Sequence, residues 1–225
     1  MKKILVTGSN GQLGQCLKQQ LQNTGDVSCY FTTREDLDIT NNDVVQRFFG
    51  KHNFDYCINT AAYTNVEKAE SEQKEAFLIN SEGAYNLAKA CKKYNVVLLH
   101  ISTDYVFDGM AKTPYQEQDP INPLNVYGAS KLKGEQHIGD TWNKHFIIRT
   151  SWLYSQYGHN FLNSMLEFAK QKKALTITTQ QKGTPTNAND LAQVLVTIIK
   201  TGNARYGVYH FSNQGEATWY DFAKA

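Results

Sequence analysis

Short apolar runs alternate along the chain with longer stretches in which apolar positions recur every three or four residues. A continuous run bounded by turn signals predicts a strand buried on both faces, and the wider period predicts a helix with one buried face. On this basis Lys3–Val6 is a first strand and Gln12–Gln22 a helix. Val27–Phe31 is a second strand, and Asn41–Phe49 is a helix with Asn41 or Asn42 near its cap. Tyr56–Asn59 is a third strand, Ser71–Tyr94 a long helix and Val96–Ser102 a fourth strand rich in Val and Leu. Asn125–Ile138 is a helix and His145–Arg149 a fifth strand. This alternation predicts an α/β fold, a parallel sheet covered by helices on both faces.

The rhythm changes after Thr150. Asn160–Lys172 and Asp190–Lys200 predict helices, Leu175–Thr178 and Gly207–Phe211 predict strands, and a helix starts at Thr218 and is still in progress at Ala225. That break in mid-pattern leads us to expect a further C-terminal segment. The stretch Thr113–Pro123 reads as a loop before the helix at Asn125, and no repeat or low-complexity tract is present.

A length of 225 residues suits one larger domain, or one domain with a small lobe, and 41% hydrophobic residues suffice for a core. A net charge of +2 gives no electrostatic case for nucleic acid. No apolar run approaches the roughly 18 residues of a membrane span, so no membrane partner is expected. The first apolar run is too short for a signal peptide and reads as a strand. Cys16, Cys29, Cys57 and Cys91 are widely spaced without a metal-ligand pattern. They fit free thiols of a cytoplasmic protein.

The first strand leads into Gly8-Ser9-Asn10-Gly11-Gln12-Leu13-Gly14, a glycine turn that opens a helix. Glycine there permits positive φ and close backbone approach, and the helix N-terminus offers free N–H groups to a pyrophosphate. Strand, turn and helix in this order predict a dinucleotide site and a Rossmann-type doubly wound domain over residues 1–150. Residues 151–225 are then a smaller substrate lobe, partly interleaved with the first. The second strand runs into Arg34, where a ribose-binding acid would favour NAD. An arginine instead favours a 2′-phosphate, so NADPH is the expected cofactor, with NADH left open by Glu35 and Asp36 beside it.

Tyr127 and Lys131 stand four apart on a predicted helix and share a face. An ammonium near a phenol is expected to lower its pKa, and the tyrosine can donate a proton where hydride reduces a carbonyl. Ser102 and Thr103, at the carboxyl end of the fourth strand, supply a hydroxyl to orient the carbonyl oxygen. Asn59-Thr60-Ala61-Ala62-Tyr63-Thr64 brings small residues to the end of the third strand. Asn80 reads either as a solvent-facing polar residue or as part of the site. Glu67 and Glu70 read as solvated charges. Together these features predict a nicotinamide-dependent carbonyl reductase.

The same residues carry a family resemblance. The chain resembles the extended short-chain dehydrogenase/reductases, and among them the reductases of dTDP-linked 4-keto deoxysugars. The segments that carry it are the Val6-Thr7-Gly8 turn, Asp36-Leu37-Asp38-Ile39-Thr40, Asn59 to Thr64 and Val66-Glu67-Lys68-Ala69-Glu70. Ser102-Thr103-Asp104-Tyr105-Val106-Phe107-Asp108-Gly109, Asn122 to Gly128, Arg149 to Tyr154 and Thr218-Trp219-Tyr220-Asp221 complete it. The resemblance implies hydride delivery from NAD(P)H to C4 of dTDP-4-dehydro-L-rhamnose, giving dTDP-L-rhamnose. It implies Thr103, Tyr127 and Lys131 as the catalytic set. Asp104, Tyr105 and Trp152, with Thr103, would meet the sugar. Asn10, Gly11, Gln12, Leu13, Asp38, Ile39, Ala61, Ala62, Tyr63 and Thr64 would line the cofactor with Gly8, Gly14 and Arg34.

Trp152 follows the fifth strand, where an aromatic face suits a deoxysugar ring, with packing between lobes as the lesser alternative. The related 4,6-dehydratases carry Glu where this chain has Tyr105, which disfavours dehydration. Epimerases share the tyrosine and lysine. A regulatory subunit like that of methionine adenosyltransferase, which binds NADP without turnover, shares the frame as well. Members of the family extend beyond the point where this sequence stops. Some form a homodimer with a magnesium ion at the contact, and no carboxylate cluster marks such a metal here.

Overall fold

The computed structural model describes residues 1–22, 25, 27–171 and 174–225. Six parallel strands form the central sheet in the order Val27–Thr32, Lys2–Thr7, Tyr56–Asn59, Val97–Thr103, His145–Thr150 and Gly207–His210. They are β1 (Lys2–Thr7), β2 (Val27–Thr32), β3 (Tyr56–Asn59), β4 (Val97–Thr103), β5 (His145–Thr150) and β9 (Gly207–His210). The helices are α1 (Gln12–Leu21), α2 (Asn42–Lys51), α3 (Val66–Ser71), α4 (Gln73–Phe77), α5 (Ala84–Tyr94), α6 (Val126–Thr141), α7 (Phe161–Lys170), α8 (Ala188–Thr201) and α9 (Trp219–Lys224). This is the Rossmann-type α/β sheet expected from the pattern.

Alternate residues of each strand enter opposite apolar layers, as a two-residue period requires. Ile4 and Val6 of β1 pack with Leu13, Cys16 and Leu17 of α1 and with Leu191, Leu195 and Ile199 of α8. Leu5, between them, faces Val45 and Phe49 of α2, Leu87 and Cys91 of α5 and Ile138 of α6. Each fully buried aliphatic or aromatic side chain contributes about 1.5–3 kcal/mol of transfer free energy. The four cysteines are free, and three of them are buried in these layers. Both α8 and β9 follow residue 150 in the chain yet belong to the layers of the main sheet.

Several boundaries differ from the pattern. The predicted long helix begins at Gln73, because Glu72, at φ −111° and ψ 40°, leaves the helical region. Val66–Ser71 forms its own helix, capped by the Asn65 side chain. Leu78–Gly83 is wound as a π-helix between α4 and α5. Leu175–Thr178 joins no sheet among the described residues, and its backbone is tied to α9 by Tyr220 N–H donating to Thr178 O at 3.3 Å. The helix predicted over Asn160–Lys172 is described over Phe161–Lys170, and Lys172 lies outside the described residues. Two parallel or antiparallel pairs of two residues each were not predicted. They join β6 (Leu153–Tyr154) to β8 (Thr186–Asn187), and β7 (Lys182–Gly183) to β10 (Ala217–Thr218). No described helix is long and apolar enough to cross a membrane.

Candidate active site

The carboxyl ends of β1 to β5 open into a cleft of about 1050 Å³. Such a crevice is where doubly wound sheets bind ligands. At one end lies the glycine turn. Gly8 has φ +67°, and a Cβ there would stand 2.6 Å from the backbone nitrogen of Ala61. The Gly11 N–H donates back to Gly8 O at 2.9 Å and closes the turn. Gly11 is the N-cap of α1 and supplies no side-chain cap, so the first N–H groups of that helix keep their capacity for an anion. These features fit a dinucleotide pyrophosphate.

The structure brings most of the expected cofactor residues to this cleft. Gly8, Asn10, Gly11, Gln12 and Leu13 line it from the turn, and Arg34, Asp38 and Ile39 from the end of β2. Ala61, Ala62 and Thr64 line it from β3. Two expected residues do not reach it. Gly14 packs inward, where a Cβ would meet the Cα of Ser9 at 2.6 Å, so its part is close contact between turn and helix. The Tyr63 phenol points to Glu72 and donates to it at 2.6 Å. Gln12 has a second part: its amide donates to Leu153 O at 3.1 Å and accepts from Asn160 at 2.8 Å, tying the turn to the chain after β5. Arg34 is 65% exposed and lies 3.9 Å from Asp38 and 3.4 Å from Glu75, so acids already share its charge.

At the other end stand Thr103, Asp104, Tyr105, Tyr127, Lys131 and Trp152, all lining the cleft. Helix α6 is placed by two caps. Asn125 accepts from Gly128 N–H at 2.8 Å, and Glu70 accepts from Val126 N–H at 2.8 Å. Glu70, expected to be a solvated charge, thus anchors the first turn of the helix that carries Tyr127. Asn80 is buried, not solvent-facing. Its side chain accepts from Tyr63 N–H at 2.8 Å and donates to Tyr63 O and to the Ser130 hydroxyl, each at 3.0 Å. The π-helical turn brings it inward, and such turns concentrate at functional sites.

Burial dominates the electrostatics. It pushes the Tyr127 phenol up to about 12, while a hydrogen bond with Thr103 opposes part of the rise. The lowering expected from Lys131 is not found: burial sets the direction, and the opposing influence comes from Thr103. Burial also brings the Lys131 ammonium down to about 8, with Glu135 opposing. Lys131 donates to Ile101 O at 2.6 Å. Tyr105 packs edge-on to Tyr127, with ring centroids 5.6 Å apart.

Burial pushes the Asp104 carboxyl from 3.8 up to about 6, although it accepts from Thr103 Oγ1 at 3.1 Å. Because the folded chain holds this proton more tightly than the unfolded one, the associated stability is fully present below 3.8 and is lost as pH rises through about 6. Urea unfolding of Asp104→Asn between pH 4 and 7 should show a flatter pH dependence than the parent chain; equal slopes would contradict the assignment.

Three features of the cleft were read from the sequence only in part. The hydroxyls of Ser102 and Thr150 line it, buried and without a hydrogen-bond partner among the described residues. Ser102 was named as an alternative to Thr103, whereas Thr150 gave no signal. Trp152 adopts φ +46°, a left-handed conformation that strains a non-glycine residue by about 1–3 kcal/mol. It is held by Thr186 N–H donating to Trp152 O at 3.1 Å. Its indole stacks on Trp219, with centroids 3.6 Å apart and planes 10° apart. Trp219, unassigned in the sequence, also lines the cleft.

Comparison with known proteins agrees with this geometry. Residues 1–225 match the family model described as RmlD substrate binding domain. The chain is similar to the dTDP-4-dehydrorhamnose reductase of Aggregatibacter actinomycetemcomitans, at 41% identity covering 100% of this chain and 78% of that protein. Among solved structures it is similar to the dTDP-4-dehydrorhamnose reductase of Bacillus anthracis str. Ames in complex with NADP. That match has a TM-score of 0.96 and 41% identity and covers 100% of this chain and 79% of the other. The corresponding enzyme of Clostridium acetobutylicum ATCC 824 matches with a TM-score of 0.95 and 42% identity, over 99% of this chain and 78% of the other.

Proposed function

The chain belongs to the RmlD substrate binding domain family, and from that premise we propose that it reduces the C4 ketone of dTDP-4-dehydro-L-rhamnose to dTDP-L-rhamnose with a reduced nicotinamide cofactor. The observation that carries the reading is the pairing, in one cleft, of an uncapped glycine turn with a half-buried phenol that keeps its proton. The two ends match the two halves of the reaction.

When bound, the cofactor supplies the hydride. The turn from Gly8 to Leu13 would hold its pyrophosphate, and Arg34 its 2′-phosphate. Thr103 and the Tyr127 phenol stand together in the cleft, and the two hydroxyls together orient the ketone oxygen. Tyr127 gives its proton to that oxygen as charge develops there. Lys131, anchored on Ile101 O, stabilises the phenolate left behind when it is protonated. Trp152 and Tyr105 offer aromatic surface to the sugar, and Asp104 a hydrogen-bond partner for its hydroxyls. The carboxylate pair that a dehydratase would use is missing at this strand end, where Tyr105 follows Asp104. We place the reaction in the cytoplasm.

The test is sugar-dependent oxidation of NADPH by the purified protein, followed as loss of reduced-nicotinamide absorbance. Oxidation that requires dTDP-4-dehydro-L-rhamnose supports the reading. A folded protein that binds the cofactor and leaves this sugar untouched defeats it.

The cofactor preference has its own test. Arg34→Ala should weaken NADPH binding by about tenfold, the size of one charge-assisted hydrogen bond at an exposed site, and leave NADH binding nearly unchanged. Fluorescence titration with both cofactors reads this directly. Equal losses would assign Arg34 to its contacts with Asp38 and Glu75.

A further inference from the structure

We propose that His100 is a positioning residue that fixes the amine of Lys131 and favours its uncharged form, a role that rests on the reading of Lys131 given above. His100 lies mid-strand in β4, 1% exposed, and is not part of the cleft wall. Both of its ring nitrogens have partners. Nδ1 lies 3.0 Å from the Asn59 amide nitrogen, and Nε2 lies 3.4 Å from Lys131 Nζ.

The orientation of Asn59 decides the direction of this chain. Its Oδ1 receives the Thr7 hydroxyl at 2.7 Å and the Ala61 N–H at 3.2 Å. Two donors on one side fix the oxygen there, so the amide nitrogen faces His100. An amide nitrogen can only donate. Nδ1 therefore accepts, and a neutral ring carries its proton on Nε2, toward Lys131. A neutral amine has a lone pair to receive that N–H, whereas an ammonium has only donors and would confront it. The amine keeps a donor for Ile101 O at 2.6 Å. Asn59, His100 and Lys131 are each 2% exposed or less, so the three side chains meet in a low-dielectric setting.

The surroundings are compatible with this arrangement. Burial, then the charge of Lys131 and of His145 on β5, keeps the His100 ring well below its ordinary pKa and therefore neutral. Lys131 senses Glu135 on its own helix and shares the cleft with Tyr127 and Asp104. Arg149, on β5, is committed to Glu135. Glu135 favours the charged amine, and burial opposes it. His100 adds a directional contact on the side of the neutral form, so the Lys131 ammonium that stabilises the Tyr127 phenolate can pass it a proton, become the neutral amine that receives the His100 N–H, and be reprotonated through the cleft it lines.

The test is nitrogen NMR on the full chain labelled at lysine and histidine, with Lys131 assigned by Lys131→Arg. We expect the His100 ring to be protonated at Nε2. Asn59→Asp puts a second acceptor against Nδ1, moves the ring proton there and turns the Nε2 lone pair toward Lys131. His100→Ala removes the donor and admits water. Both variants should raise the Lys131 titration midpoint by about one pH unit or more. The high-pH limb of kcat/KM should move with it in Asn59→Asp. A ring protonated at Nδ1 in the parent chain, or a midpoint unmoved in the variants that fold, overturns the proposal. The reductase reading fails separately: if Tyr127→Phe turns over normally while the midpoint moves, His100 keeps its role and the catalytic assignment falls.

Discussion

Tyr127→Phe is expected to lower kcat by about 10²–10⁴-fold, the range that positioned proton donation contributes, with NADPH affinity nearly unchanged. Hydride arriving at a ketone carbon turns its oxygen into an alkoxide, and in a buried cleft that charge has little water to stabilise it. The Tyr127 phenol, pushed up to about 12 by burial, retains its proton throughout the neutral range and is a ready donor to so strong a base. Phenylalanine keeps the ring that packs against Tyr105 at 5.6 Å and removes only the hydroxyl, so the shape of the cleft survives. Steady-state kinetics beside a cofactor titration checks both halves of the expectation. A kcat within a few-fold of the parent would remove Tyr127 as the donor. A matched loss of cofactor affinity would mean that the hydroxyl holds the cofactor instead.

Glu135→Ala should destabilise the fold by about 3–5 kcal/mol, the cost of leaving a buried charge without its partner. Glu135 on α6 and Arg149 on β5 are 5% and 4% exposed. The guanidinium meets the carboxylate through Nε at 3.0 Å and a terminal nitrogen at 2.7 Å, a two-pronged contact. Arg149 is otherwise supported by the Phe107 ring at 5.2 Å and by Glu117, whose backbone oxygen lies at 3.4 Å and whose carboxylate senses the guanidinium only weakly while it accepts from His210 N–H. Removing both charges together, as Glu135→Leu with Arg149→Met, should recover most of the loss, because an apolar pair of similar volume has no desolvation penalty. Urea unfolding of the three variants measures this. A loss below about 1 kcal/mol in Glu135→Ala would show that the guanidinium is solvated on folding.

The parts of this molecule governed by local periodicity were legible in the sequence. The strands of the central sheet, apart from one or two residues at their ends, follow from Val, Ile and Leu runs such as Val97–Leu99. The glycine turn and the Tyr127–Lys131 spacing placed both ends of the cleft. What escaped depends on contacts between distant segments. Glu135, Arg149, His100 and Asn59 are polar residues whose burial is decided by partners 14 to 52 positions away. In a linear pattern they look like ordinary polar positions. The two-residue strands at Leu153 and Lys182 are too short to carry a period. Trp152 sits in a left-handed conformation that no composition rule assigns to tryptophan, and Trp219 gained a place only when the fold brought it against that ring. Leu175–Thr178 had the β-branched look of a strand and pairs with no strand among the described residues.

The π-helical turn at Leu78–Gly83 gives one stretch of helix two angular phases. An α-helix advances about 100° per residue, and one extra residue in a turn rotates everything after it by that amount relative to everything before. Asn80 can therefore face Tyr63 and Ser130 while Leu87 and Cys91 still face the sheet. In an unbroken α-helix these residues would compete for the same direction. Along Gln73–Tyr94 the chain is consequently more sensitive to length than to composition: deleting one residue from the turn would restore regular winding and leave either the asparagine or the apolar stripe pointing the wrong way.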